Sequence, residues 1–432
     1  MDRRIGGDHV RRWLGITMAV VAALTVLGLV AMWPRGKGPT LGDQPKREFF
    51  DATITQATEG GCEGIEVSGP TRCWIYTADL TSGPTKGESV EFRVLPTDVE
   101  IPDLHENDKV VLVDYVDTIT PEFQFQFYDF QRTTPLLWLG LAFVVVVVAF
   151  GRFQGLRALV GLGLSLAVLV YFVVPALLRD SPAVLVALVG TTVVAFLAIY
   201  LAHGIGISST IALAGSLVSL AATTLIALVA ASLTQLSGLA NEEAQILQFT
   251  AQALDLRGLL IAGIVVGALG VLDDVTVSQV STVAALRRAN PSLTTRELYT
   301  EATHVGRDHV ASTVNTLVLA YAGASLPLLL FFAQGTLPVA RVVTGELVSA
   351  EIVRMLVGSI GLVLSVPITT WLAAMILSHT EPLEDDGHGH HHGLPPVADY
   401  GPEDPDLWPP PGPDLWPAPE PRGQRRETTP WF

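Results

Sequence analysis

A series of long apolar runs with almost no charge constrains this chain more than any other feature. A transmembrane helix needs about 20 mostly apolar residues to cross about 30 Å of hydrocarbon. The sequence therefore predicts an α-helical polytopic membrane protein with about eight transmembrane helices. The predicted spans are residues 13–33, 135–150, 156–178, 182–202, 205–235, 258–279, 310–333 and 352–377. The span at 205–235 is long enough to be a broken or tilted helix.

The distribution of charge divides the chain into zones. Charged residues make up 16% of the 432 residues, and the net formal charge is −16, whereas soluble proteins carry about 25% charge. Most of the negative charge lies in residues 34–134 and 379–432. Because no basic stripe is available to neutralise phosphates, nucleic acid is excluded as a partner.

Five regions follow from these patterns. We predict a cytoplasmic basic arm (1–12), an anchor helix (13–33), an extracytoplasmic β-domain (34–134), a seven-helix membrane domain (135–378) and a disordered acidic, Pro-rich cytoplasmic tail (379–432). The basic arm carries four arginines, which place the N-terminus in the cytoplasm by the positive-inside rule. Eight spans then return the C-terminus to the same side. The predicted location is a bacterial plasma membrane, with the lipid bilayer as the first partner.

The β-domain is predicted from short runs in which apolar and polar residues alternate. Residues 123–127 show the cleanest alternation, and Ser82-Gly83-Pro84 is a typical turn signal. Five such runs favour a small all-β barrel or sandwich. Cys62 and Cys73 both lie in this region, and on the oxidising side of a membrane we expect a disulfide between them. Two reduced thiols are the alternative.

The acidic tail contains a repeated tetrapeptide and a histidine cluster. The tetrapeptide Asp-Leu-Trp-Pro occurs at residues 406–409 and again at 414–417, which is typical of a spacer or of a segment that docks a protein partner. A histidine cluster is a weak candidate for transition-metal binding. It comprises His388, His390, His391 and His392. Because no carboxylate or cysteine stands at a fixed ligand spacing, we expect a solvated tract and no metal site.

One predicted span carries charge in its interior. Between residues 258 and 286 the only charged residues are Asp273 and Asp274, and ionisable groups inside a membrane are functional candidates by default. Ser278 and Ser281 follow Asp274 at i+4 and i+7, so a polar stripe runs from the acidic pair. Two carboxylates so close do not ionise independently, which is what a proton relay requires. The alternative is a solvated cap where the helix leaves the membrane.

The next span opens with a polar face formed by Ser312, Asn315 and Thr316, at i, i+3 and i+4. Such residues either join helices through hydrogen bonds or complete a site with Asp274.

Motifs for dinucleotide binding, phosphate loops, zinc proteolysis and serine hydrolysis are missing from the sequence. We therefore expect no enzymatic activity and no cofactor.

Several motifs resemble the YibE/F family of bacterial membrane proteins. They are Asp129-Phe-Gln-Arg132-Thr-Thr-Pro135, Gly151-Arg152-Phe-Gln-Gly155-Leu-Arg157, Gly270-Val-Leu-Asp273-Asp274-Val-Thr-Val-Ser-Gln279, and Gly306-Arg-Asp-His309 through Ser312-Thr-Val-Asn315-Thr. The resemblance covers roughly residues 50–378 and implies a multi-pass membrane protein, with no activity attached to the family. A fainter resemblance links Gly270, Asp274 and the helix opening at Ser312 to permeases of the SecDF and RND type, which implies proton coupling at Asp274.

We therefore expect a transporter or export-associated permease that is proton-coupled through the aspartate pair. A membrane scaffold or envelope assembly factor, binding a partner through its extracytoplasmic domain, is the alternative. The sequence does not name a substrate, which would be a small molecule or an ion.

Overall fold

The computed structural model describes residues 2–35, 48–60, 73–94, 103–114, 124–179, 181–240, 242–250, 254–335 and 338–379. Long helices dominate this part of the chain, together with one sheet. Three predictions concern residues outside these ranges. The disordered tail with its repeated tetrapeptide lies almost wholly beyond them and stays a prediction. The partner cysteine Cys62 and the histidine cluster of the tail are not among the described residues, so neither prediction is tested.

The five alternating runs form one antiparallel sheet. Its strands run in the order β3-β2-β1-β4-β5, and the edge strands β3 and β5 contact each other, so the sheet curls into a half-barrel. The small all-β domain is thus confirmed. The strands are β1 (Phe49–Gly60), β2 (Cys73–Leu80), β3 (Ser89–Val94), β4 (Lys109–Asp114) and β5 (Phe125–Phe130).

The concave face of the sheet buries one side of each alternating run. Ile54 and Phe92 are fully buried there, and Tyr76 stacks on Phe92 with ring centroids 5.4 Å apart. The turn between β2 and β3 contains Gly83, whose φ is +85°. A Cβ at this position would also lie 2.7 Å from the Phe50 ring. Glycine is therefore required both by the backbone conformation and by the close approach of the ring.

An ion pair lies where the sheet meets the first helix of the membrane domain. Asp129, in β5, accepts a hydrogen bond of 2.6 Å from the Arg132 guanidinium. That bond, with a second from the Phe130 amide, holds the pKa of Asp129 below its usual value. A lowered pKa means that the pair's contribution to stability is complete above the ordinary carboxyl pKa. It is lost as the pH falls through the folded value.

Most of the described chain is helical, because the apolar runs are long and backbone groups in a membrane must be satisfied internally. The helices are α1 (Asp2–Ala31), α2 (Thr133–Val168), α3 (Val174–Leu177), α4 (Ala183–His203), α5 (Ile207–Leu233), α6 (Glu242–Thr250), α7 (Leu256–Ala289), α8 (Thr295–Ala324), α9 (Leu326–Ala333), α10 (Val339–Thr344) and α11 (Glu346–Leu377). A π-helical turn at Leu169–Val173 joins α2 to α3.

Six described segments are long and apolar enough to cross a membrane, and a seventh is obtained if the bent pair α8 and α9 forms one span. The prediction of eight is not confirmed, because residues 133–177 count as one segment in this number. Arg152 interrupts that segment with φ 50° and ψ −132°. A Cβ on Gly155 would meet the Val147 carbonyl oxygen, although residues eight apart in a continuous helix are separated by about 12 Å. The chain therefore turns sharply at Arg152.

Several helices begin earlier or end later than their predicted spans, α7 and α8 among them. α7 continues to Ala289, beyond the predicted end at residue 279. α8 begins at Thr295 instead of residue 310, where Thr294 and Glu297 form a capping box that satisfies free backbone N–H groups. α5, by contrast, is unbroken from Ile207 to Leu233, so the predicted span at 205–235 is a single helix.

The centre of the helical part is formed by α5, α7 and α11, which contact one another more than any other helices do. α5 and α11 are antiparallel and meet through two reciprocal contacts. Thr369 of α11 fits against Gly215 of α5, and Thr223 of α5 fits against Gly361 of α11. Each helix thus offers one glycine and one threonine, eight residues apart. The missing Cβ atoms bring the two backbones close, as small residues do in membrane helix pairs.

This packing predicts that Gly215→Ala destabilises the protein. The added Cβ would lie 2.9 Å from Cγ2 of Thr369 and would also meet its hydroxyl oxygen. We expect a loss of about 1–3 kcal/mol, which is typical of overpacking. Thermal unfolding of the purified protein in detergent measures the loss. Gly263→Ala on α7 is the control, because its Cβ would meet nothing within 4 Å. Equal stability of the two variants would contradict the packing described here.

Candidate functional site

The aspartate pair lies at the middle of α7. Asp273 is 17 residues from Leu256 and 16 residues from Ala289. A helix of this length extends about 50 Å, since each residue adds 1.5 Å. The pair is therefore far from both helix ends, and the solvated cap where the helix leaves the membrane stays the alternative.

Both aspartates line a cleft between α2, α4 and α7. The cleft has a volume of about 410 Å³. Residues 270, 273, 274 and 277 of α7 form one wall, as the helical spacing i, i+3, i+4 and i+7 requires. Three other polar side chains line it: Ser165 of α2, and Thr191 and His203 of α4. The rest of the lining consists of glycine, alanine and larger aliphatic residues.

Asp273 stands on the border between this cleft and the interior of the bundle. One of its oxygens, Oδ1, is buried and has no hydrogen-bond partner among the described residues. Its carboxyl group interacts with the Ser216 hydroxyl of α5. Ser216 also hydrogen-bonds Thr276, one turn further along α7, with 2.6 Å between the hydroxyl oxygens. Asp274, in contrast, is exposed.

A seam of buried polar side chains continues from Thr276 between α7 and α11. The Thr370 hydroxyl donates a hydrogen bond of 2.9 Å to Oε1 of Gln279. Gly306 of α8 packs against the same amide, where a Cβ would lie 2.6 Å from Nε2. Thr276, Gln279 and Thr370 are at most 1% exposed. The seam fixes α7 against its neighbours while the opposite edge of the helix faces the cleft.

A family model described as YibE/F-like protein matches residues 139–379, more than half of the chain. The chain belongs to this family. Among the curated proteins and the solved structures, none matches it. The matched region contains every helix that lines the cleft, so the site of this YibE/F-like protein lies in the part that defines the family. Within the described ranges, no group of three or more histidine, cysteine, aspartate or glutamate side chains could hold a metal ion.

The predicted polar stripe on α7 only partly reaches the site. Ser278 is half-buried and Ser281 is exposed, and neither belongs to the lining of the cleft. Both serines lie beyond it, on the part of α7 that leads to Arg287 and Arg288. Asp273 and Asp274 are therefore the only predicted site residues that the structure places in the cleft.

The predicted polar face on α8 lies elsewhere. Ser312, Asn315 and Thr316 are exposed, and the Thr316 hydroxyl donates to the Ser312 carbonyl within the helix. α8 packs against α7 and α11, whereas the cleft lies towards α2 and α4. The structure does not bring this face to Asp274.

The sequence reasoning missed Ser165, Thr191 and His203. They lie on two different helices, and no spacing along the chain links them to the aspartates. The partner of Asp273 was also missed, although a signal for it exists. Ser216, Ser219 and Thr223 recur at i, i+3 and i+7 on α5, which marks one buried polar face.

The environment of Asp273 predicts a difference in stability between two equivalent substitutions. Asp273→Asn removes a charge from a carboxyl group with an unpartnered buried oxygen, so we expect the free energy of unfolding to be unchanged or higher by roughly 1 kcal/mol at pH 8. Asp274→Asn should change it by less than about 0.5 kcal/mol, because the side chain is exposed. Thermal unfolding in detergent checks both values, and a marked loss for Asp273→Asn would mean that its charge holds helices together.

Proposed function

We propose that this YibE/F-like protein is a proton-coupled transporter or export-associated permease without enzymatic activity. Asp273 and Asp274 carry the protons in this proposal. The observation that carries it is the cleft, in which two carboxylates lie halfway along a helix long enough to span a bilayer. Charged groups at such positions are rare unless they face a cavity or a partner, and they mark ion and substrate pathways.

The two aspartates have different tasks in this mechanism. Asp274 is exposed and exchanges protons readily with the space inside the cleft. Asp273 has one buried oxygen without a partner among the described residues and interacts with the Ser216 hydroxyl of α5, so its protonation alters the polar contacts between α5 and α7. Gain or loss of a proton at Asp273 thereby shifts the packing of α5 against α7 between two arrangements. An element with two such states is what coupling of protonation to transport requires.

The volume of the cleft supports a ligand larger than a proton. Small-molecule sites have volumes of roughly 300–1,000 Å³ and are mostly apolar, with a few convergent polar groups. This cleft fits that description in volume and in lining. A scaffold that only holds helices together has no need for such a space, which favours the transporter over an assembly factor. The location in a plasma membrane and the cytoplasmic position of both termini belong to this proposal.

Proton flux in proteoliposomes tests the function. We expect the reconstituted protein to move protons under an imposed gradient, measured with a pH-sensitive dye. Asp273→Asn and Asp274→Asn should each reduce the flux at least about tenfold, because asparagine cannot carry a proton at this site.

Asp308→Asn provides the matched control. Asp308 is exposed on α8 and does not line the cleft, so the same substitution there should leave the flux unchanged. Wild-type flux in both cleft variants would overturn the proposal. Absence of flux in every protein, together with marked destabilisation by Asp273→Asn, would favour the scaffold, and capture of an envelope partner through the β-domain would then be the next test.

A further inference from the structure

The cleft has a chemical character that points to a class of ligand. Its side chains include two carboxylates and one histidine, and none of the described residues that line it is lysine or arginine. Arg157 is nearby, 3.8 Å from the position of a Cβ on Gly204, but it does not belong to the lining. With both aspartates ionised, the lining is therefore negative and its electrostatic complement is a cation.

The hydroxyl groups of the cleft also favour a cation over an anion. The Ser165 hydroxyl donates to the Gly161 carbonyl at 2.8 Å, and the Thr191 hydroxyl donates to the Ala187 carbonyl at 2.6 Å. Each hydroxyl has one hydrogen, and these bonds use it within the helix. The two hydroxyls therefore have no hydrogen left to donate to a ligand. An anion would meet only lone pairs and carboxylates there, apart from His203.

The remaining walls are apolar. Leu162, Leu169, Val194, Val266 and Leu269 contribute aliphatic surface, which favours a hydrophobic ligand and offers nothing to a hydrated inorganic ion. Inorganic cations such as Ca²⁺ need about six to eight oxygen ligands. Two carboxylates and two hydroxyls have six oxygens in all, and Oδ1 of Asp273 is buried, so fewer than six are accessible from the cleft. Charge, hydrogen-bonding capacity and surface thus agree on one class.

We propose that the cleft binds a hydrophobic organic cation, which competes with protons for Asp273 and Asp274. This inference rests on the proposed function and names its substrate class. Binding of the cation requires both carboxylates to be ionised, so entry of a cation releases the protons they hold. Reprotonation releases the cation. Mutually exclusive occupancy of one site couples cation binding to proton release, and a site that faces the two sides of the membrane in turn then exchanges the cation for protons.

Equilibrium dialysis of the full-length protein in detergent tests the inference directly. The probe is tetraphenylphosphonium, and its isosteric anion tetraphenylborate is the matched control for shape and hydrophobicity. We expect saturable binding of the cation, accompanied by proton release in a weakly buffered solution. Excess sodium chloride should not displace it. Tetraphenylborate, dialysed in a separate experiment because the two ions form an insoluble salt, should not bind saturably.

Two sets of variants locate the site. The double substitution Asp273→Asn, Asp274→Asn should weaken binding at least about tenfold, since both charges are lost from a poorly solvated site, whereas Asp308→Asn should bind as the wild type does. Gly270→Val places a side chain in the cleft where a Cβ meets no other atom within 4 Å, and it should weaken binding with both carboxylates present. Gly263→Val, on the same helix outside the lining, is its control.

The outcomes separate this inference from the proposed function. Binding that persists in the double variant, or saturable binding of tetraphenylborate as strong as that of the cation, would overturn the cation site, as would the absence of saturable binding of the cation. Aspartate-dependent proton flux without cation binding would leave the transporter standing and refute the ligand class. Aspartate-dependent cation binding without proton flux, even with the cation supplied on the opposite side of the vesicle membrane, would support the site and refute transport.

Discussion

The cost of leaving a polar atom unpaired away from water governs the helical part of this protein. Most buried hydroxyls meet the constraint inside their own helix. Thr223 donates to the Ser219 carbonyl and Thr224 to the Leu220 carbonyl, each four residues back. Others pair across helices, as Ser216 does with Thr276. Among the described residues, the buried atoms without a partner include the hydroxyls of Ser219 and Thr369, Nε of Arg287 and one oxygen of Asp273. Of these, only Asp273 lines the cleft. A cost retained at the edge of a cavity is more readily explained by function than by stability.

The sequence was sufficient to predict the class of fold and the location of the acidic pair. Apolar runs of about 20 residues leave a chain few structures besides membrane helices, and period-two alternation predicted all five strands. Asp273 and Asp274 were recognisable because charge is conspicuous in an apolar context. These features are local in the chain, and each depends on the identity of residues within a single segment.

The rest depends on contacts between segments. The cleft requires α2, α4 and α7 together. The residues next to Ser165 and His203 in the sequence do not indicate that the two side chains line the same site. The polar face at Ser312 and Asn315 looked equivalent to the acidic stripe by spacing, but helical spacing does not say which neighbour a face meets. Segment count was uncertain for a related reason. The turn at Arg152 is set by its backbone conformation, and hydropathy does not report dihedral angles.

The reciprocal contacts of α5 and α11 have a mechanical consequence. Because each threonine occupies the notch left by a glycine on the other helix, a slide of either helix along its axis would force both threonines out of register together. The two contacts therefore resist translation of either helix along its axis in both directions. α7 is tied to this pair through Ser216 and Thr370. Any widening of the cleft must consequently be taken up by α2, α4 and α7, whose Ser216 contact changes when Asp273 is protonated, while α5 and α11 form a fixed pair.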